Sequence, residues 1–153
     1  MTLTVHPAGD EHLSAIESIE RESFSLPWTY EQFAGFLDDE HHAMFVALDE
    51  EKQVVGFLCL MHVLDEGEIA NIAVAPAYRK QGAADALMMR AMSFAEEHGL
   101  VYMGLEVRES NVPAISLYQK YGFQITGKRK AYYDAPKEDA LIMVKKWETR
   151  QRM

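Results

Sequence analysis

Residues 71–95 read Asn71-Ile72-Ala73-Val74-Ala75-Pro76-Ala77-Tyr78-Arg79-Lys80-Gln81-Gly82-Ala83-Ala84-Asp85-Ala86-Leu87-Met88-Met89-Arg90-Ala91-Met92-Ser93-Phe94-Ala95. A short apolar strand stops at Pro76, a basic turn with a glycine follows, and an apolar-periodic helix begins. Such a turn offers free backbone N–H groups and the positive end of a helix dipole, which together bind phosphate. Arg79-Lys80-Gln81-Gly82-Ala83-Ala84 has the form Q/R-x-x-G-x-G/A: Gly82 removes a side chain where backbone must approach a phosphate, and Ala84 is small for the same reason. The stretch is expected to hold the pyrophosphate of a nucleotide-like cofactor. An ordinary strand–helix turn carrying a basic cluster is the alternative.

Working outward, 153 residues suffice for one domain, expected over 1–153, with a proper core. The composition, 48% hydrophobic and 25% charged, is that of an ordinary soluble protein. No apolar run approaches the roughly 18–20 residues that a membrane helix needs. Met1 to Pro7 lacks a basic region followed by an apolar block, so no secretory signal is expected. One cysteine, Cys59, sits in an apolar run and is expected to be a buried, reduced thiol. A cytoplasmic protein is the expectation. The net charge of −9 argues against nucleic-acid binding and suits a basic partner or cationic substrate.

Before the central stretch, Thr2–Val5 alternates like a strand, and a helix from Asp10 to about Phe24 carries Leu13, Ile16 and Ile19. Thr29 with Gln32 is a capping-box pattern opening a second helix to about Leu37. Between them, Phe24, Leu26 and Trp28 are either a staple packing the two helices or a wall of a substrate groove. Ala43–Leu48 and Val54–Leu64 read as a hairpin, and a turn at Asp65-Glu66-Gly67 leads into strand Glu68–Val74. After the central helix, which ends at Gly99, come strand Tyr102–Val107, a helix capped by Asn111 and stopping at Gly122, and strands Phe123–Lys130 and Ala140–Trp147. The polar segment Tyr133–Asp139 joins those two strands, and residues 148–153 read as a frayed tail. The order is β-α-α-β-β-β-α-β-α-β-β, one mixed α/β domain.

No Gly-x-Gly-x-x-Gly and no Gly-Lys-Ser/Thr ending is present, and the histidines lack metal-ligand spacing, so no metal is expected. The chain resembles the GCN5-related N-acetyltransferase (GNAT) superfamily. The resemblance runs through Ile72-Ala73-Val74, the Arg79–Ala84 turn and Leu105-Glu106-Val107-Arg108-Glu109-Ser110-Asn111, then Ala114-Ile115-Ser116-Leu117-Tyr118 and Tyr121-Gly122-Phe123. Three further features resemble the RimI branch, the ribosomal-protein alanine N-acetyltransferases. They are the Pro27-Trp28 loop, the 105–111 run, and Lys128-Arg129-Lys130-Ala131-Tyr132-Tyr133 before Glu138-Asp139-Ala140.

The resemblance implies a mostly antiparallel twisted sheet flanked by helices. It also implies acetyl-CoA as co-substrate and direct transfer to the N-terminal α-amine of a small-subunit ribosomal protein. Cofactor contacts are implied at Ile72, Ala73, Val74, Arg79, Lys80, Gln81, Gly82, Ala83, Ala84, Asp85, Asn111 and Tyr118, with a backbone N–H near Val74 facing the oxyanion. Glu106 matches the position of a catalytic glutamate and Tyr118 that of a tyrosine acid. Read without the resemblance, Glu106 is equally a strand-end carboxylate and Tyr118 a packing residue. Trp28, Tyr132 and Tyr133 are expected to line the peptide groove, with plain packing as the alternative. Asp85 departs from the pattern, since an Arg is common there; a carboxylate repels pyrophosphate, so it is expected to point outward. A monomer or weak dimer is expected. The competing expectations are transfer to a small amine or a lysine side chain, and a non-enzymatic acyl-CoA sensor, against which the pair Glu106 and Tyr118 speaks.

Overall fold

The computed structural model describes residues 2–148, so residues 149–153 of the expected tail lie outside the described residues. The strands are β1 (Thr4–Pro7), β2 (His42–Leu48), β3 (Val54–Val63), β4 (Glu66–Val74), β5 (Tyr102–Arg108), β6 (Gln124–Asp134) and β7 (Lys137–Lys146). The helices are α1 (Leu13–Ser23), α2 (Tyr30–Leu37), α3 (Ala83–Glu97) and α4 (Val112–Lys120). Short 3-10 turns at Asp10–His12 and Pro76–Tyr78 precede α1 and α3. Apart from these turns the order is the expected one.

The strands form a seven-stranded sheet in the order β1-β2-β3-β4-β5-β7-β6. The pairs β1–β2, β2–β3, β5–β7 and β6–β7 are antiparallel. β4 and β5 are parallel because α3 carries the chain back between them, and their register covers Glu66–Tyr102, Gly67–Met103 and Glu68–Gly104.

The chain divides into two compact units, one of Met1–Met61 with Ile69–Phe94 and the other of His62–Glu68 with Ala95–Met153. In the first unit, residues 44–48 of β2 and 55–60 of β3 are buried at every position, as continuous apolar strands covered on both faces must be. Leu13, Ile16 and Ile19 of α1, Phe33 and Phe36 of α2, and Phe57 and Cys59 of β3 share one core. The Cys59 thiol is buried as expected, and burial, with the nearby Glu20 adding to it, pushes its pKa well up and keeps it protonated.

Helix ends are fixed by local chemistry. The Thr29 hydroxyl accepts the Gln32 N–H at 3.2 Å and the Gln32 side chain accepts the Thr29 N–H at 2.8 Å, the reciprocal capping box, worth about 1 kcal/mol. The ring of Trp28 lies 5.3 Å from that of Phe33, the staple that sets the entry angle of α2. Gly99 (φ +66°) ends α3 in a Schellman motif, with Leu100 N–H on the Ala95 carbonyl and Gly99 N–H on that of Glu96.

Two turns depart from the expectation. The β3–β4 turn is Leu64-Asp65, with Leu64 at φ +55°, and Glu66 and Gly67 already belong to β4. β6 and β7 also run further than expected, leaving only Ala135 and Pro136 between them. A register break between Arg129 and Tyr133 absorbs the extra residues; there Ala131 sits at φ +51° with its N–H donating to Asp139 Oδ1 at 2.7 Å.

Candidate active site

In the second unit, β5 alternates. Met103, Leu105 and Val107 are buried, while Tyr102, Gly104, Glu106 and Arg108 share the more open face. This pleat brings Glu106 out of the core yet keeps its side chain only 19% exposed. Arg129 Nε of β6 lies 3.0 Å from Glu106 Oε2, but its N–H is not directed along that line, so the buried Oε2 accepts no aligned hydrogen bond. The contact is an ion pair with an acceptor lone pair to spare. Glu68 of β4 belongs to the same charged neighbourhood; burial and then the Glu106 carboxylate raise its pKa, and Arg129 offsets part of that rise.

The bulged end of the β6–β7 hairpin is held to β5. Arg108 donates through Nη1 to the Pro136 carbonyl at 2.8 Å and through Nη2 to the Ala135 carbonyl at 3.3 Å, and its guanidinium stacks 4.4 Å from the Tyr133 ring centre. Ser110 N–H donates to Glu138 Oε2 at 2.6 Å; the Ser110 side chain first, then this N–H and Arg108, hold the Glu138 carboxyl below the usual range. Tyr133 is thereby fixed near Glu106; burial first, then the Glu106 charge, push its hydroxyl up to about 12. Tyr118 of α4 is 6% exposed, and burial, helped by the neighbouring Tyr133, pushes its hydroxyl far up. Glu106, Tyr133 and Tyr118 thus stand in one electrostatic neighbourhood, with both phenols kept protonated. Tyr132 packs edge-to-face on Tyr133 at 5.1 Å and remains 48% exposed. Asn111 Oδ1 accepts the Ala114 N–H at 3.3 Å, the expected cap of α4.

The first unit holds the remaining candidates. Arg79, Lys80, Gln81 and Gly82 are exposed between the 3-10 turn and α3, whose fifteen residues supply a full helix dipole. Gly82 adopts φ +91°, and a Cβ placed there meets no heavy atom within 4 Å. Ala83 is buried, and Asp85 is partly buried in the first turn of α3. Ile72 and Val74 are partly buried on β4, and Ala73 is buried.

Trp28 rests on core rings, 5.3 Å from Phe33 and 5.7 Å from Phe36, so the outward apolar groups of its loop are Leu26 at 66% and Phe24 at 40% exposed. Its backbone N–H donates to the buried Glu20 carboxylate. The sequence signal for Glu20 is its place on the apolar stripe of α1 with Leu13 and Ile16, where a carboxylate needs a reason. Among the described residues no group of three metal-ligating side chains gathers, and no helix is long and apolar enough to cross a membrane.

Comparison with known proteins agrees with this architecture. The acetyltransferase (GNAT) family profile matches residues 13–123. A Bacillus subtilis (strain 168) protein provisionally named [ribosomal protein bS18]-alanine N-acetyltransferase is 37% identical over 133 residues, covering 87% of this chain and 88% of its own. The Escherichia coli (strain K12) [ribosomal protein bS18]-alanine N-acetyltransferase is 35% identical over 133 residues, covering 86% and 88%. The crystal structure of the ribosomal-protein-S18-alanine N-acetyltransferase from Escherichia coli superimposes with a TM-score of 0.90 at 32% identity, covering 98% of this chain and 97% of that one. The chain belongs to the acetyltransferase (GNAT) family, and it is an acetyl-CoA-dependent N-acetyltransferase.

Proposed function

We propose that this enzyme acetylates the N-terminal α-amine of a protein beginning with alanine, with a small-subunit ribosomal protein as acceptor. The observation that carries the reading is Glu106: a carboxylate on the open face of β5, its Oε2 buried without an aligned donor. An α-ammonium donates to such an oxygen and loses a proton to it. The names of the relatives that match most of the chain supply the acceptor, ribosomal protein bS18. Such an acceptor implies action in the cytoplasm.

The residues fit acetyl-CoA. The exposed Arg79-Lys80-Gln81-Gly82 turn, with open space at Gly82, would hold the pyrophosphate against the first N–H groups of α3. Bound acetyl-CoA supplies an activated acetyl thioester. Glu106 takes the proton from the attacking amine; because an α-amine has a pKa near ~8, the base need not be strong. Tyr118, kept protonated by its burial, would be the phenol available as proton donor to the CoA sulfur when the cofactor is bound. Tyr133 and Tyr132, fixed by Arg108 and the β6 bulge, flank the entering N-terminus.

The test is a panel of peptides with N-terminal Ala, Ser, Met and Lys-containing controls, together with polyamines, each incubated with acetyl-CoA and analysed by mass spectrometry. Acetyl groups are expected on the α-amine, with Ala-first peptides turned over at least tenfold faster than the others. Faster acetylation of polyamines or lysine ε-amines overturns the assignment.

A further inference from the structure

Glu20 is 2% exposed, the one charged side chain in the buried set among the described residues. Burying a carboxylate is costly unless donors surround it. Here both oxygens are used: Oε2 accepts the Trp28 backbone N–H at 3.0 Å, and Oε1 accepts the Asn71 side-chain Nδ2 at 2.6 Å. Trp28 ends the loop whose Leu26 and Phe24 face outward; Asn71 lies on β4, immediately before Ile72-Ala73-Val74. One carboxylate therefore ties a loop to a strand residue, Asn71, that lies 51 residues from Glu20 in sequence. Glu17, one turn earlier on α1, accepts the Tyr30 N–H at 2.9 Å and fixes the other side of the same loop.

We infer that Glu20 is a positioning residue for the acceptor: it holds the Phe24–Trp28 loop at a set distance from the cofactor strand, so that the loop's apolar side chains meet the peptide. The inference rests on the reading that this loop contacts the acceptor. Packing alone does not call for a carboxylate at this place, since an apolar side chain of the same volume fills an apolar stripe without a desolvation cost. Both partners are donors, so an acceptor-only group satisfies them together. Burial raises the Glu20 pKa, with the Trp28 and Asn71 hydrogen bonds opposing that rise. A buried acid raised in this way stabilises the fold below the ordinary carboxylate range and loses that contribution as pH rises through its folded value.

The test is steady-state kinetics with an Ala-first peptide and acetyl-CoA. Glu20→Leu, near in volume but without acceptors, is expected to raise the peptide KM about tenfold while the KM for acetyl-CoA stays within twofold. Glu20→Gln is expected to recover a peptide KM within about twofold of the parent, because Gln accepts from Trp28 and a flipped Asn71 amide accepts from Gln. If Glu20→Leu does not fold, Asn71→Leu cuts the tie to β4 alone and is expected to raise the peptide KM about fivefold. An unchanged peptide KM in the folded Leu variant, or equal loss for both substrates, overturns the inference. Leu26→Ala separates the two readings. If it raises the peptide KM and Glu20→Leu does not, only the positioning role fails; if it leaves the peptide KM unchanged, the loop does not meet the acceptor.

Discussion

Glu106→Gln is expected to lower kcat by about 10²–10³ at pH 7, within the range that a positioned base contributes, while acetyl-CoA affinity stays within twofold. Glutamine keeps the shape of the side chain on β5 and can still accept a hydrogen bond, but it cannot take a proton. The loss should depend on pH in a definite way. With an α-amine pKa near ~8, roughly a tenth of the acceptor is already neutral at pH 7, and most of it is neutral by pH 9. Turnover by the variant should therefore rise about tenfold between pH 7 and pH 9 and then level off, narrowing the gap to the parent by about that factor. Tyr118 does not confuse the comparison, since burial holds its hydroxyl protonated throughout this range. Full pH–rate profiles of both proteins make the measurement. Equal turnover at pH 7 would remove Glu106 from the mechanism; a gap that does not narrow between pH 7 and pH 9 would assign it to orienting the amine instead.

The parts of the fold that were legible are those set by local chemistry. Apolar periodicity marks α1 and α3, Thr29 with Gln32 marks the start of α2, and Gly99 and Gly122 mark helix ends through positive φ. The β3–β4 turn was misplaced because a glycine normally signals a turn, whereas Gly67 lies buried in β4 and Leu64 takes the positive φ. The full length of β6 and β7 depends on the bulge at Ala131, whose N–H reaches Asp139 8 residues on, and on Arg108 reaching the Ala135 and Pro136 carbonyls 27 and 28 residues away, contacts that no local pattern encodes. Glu106 and Tyr118 were legible only through resemblance to a family. Nothing in their own spacing distinguishes a base from a surface carboxylate. Glu20 shows the opposite failure: its position on an apolar stripe was visible, but its two donors come from a loop and a distant strand that folding alone brings together.

Gly82→Val is expected to abolish acetyl-CoA binding, raising the dissociation constant more than 100-fold. Two effects act on this position and must be separated. At φ +91° a β-branched residue is strained by about 1–3 kcal/mol, which lowers the melting temperature by several degrees for a chain of this size. The second effect is steric. Because a Cβ at Gly82 meets no protein atom within 4 Å, the methyls of valine would occupy the space left for phosphate. Gly99, at the other end of α3, provides the control, with φ +66° and likewise nothing within 4 Å of its Cβ position. Gly99→Val thus carries comparable strain on the same helix without touching the phosphate turn. Calorimetric titration with CoA and thermal melting on both variants decide between the effects. If strain were the whole cause, the two variants would lose stability and cofactor affinity together. The phosphate assignment requires that they part company: similar melting temperatures, near-normal CoA binding in the Gly99 variant, and none in the Gly82 variant. Normal titration by Gly82→Val would move the pyrophosphate off this turn altogether, because no backbone cradle tolerates two methyl groups where an oxygen must sit.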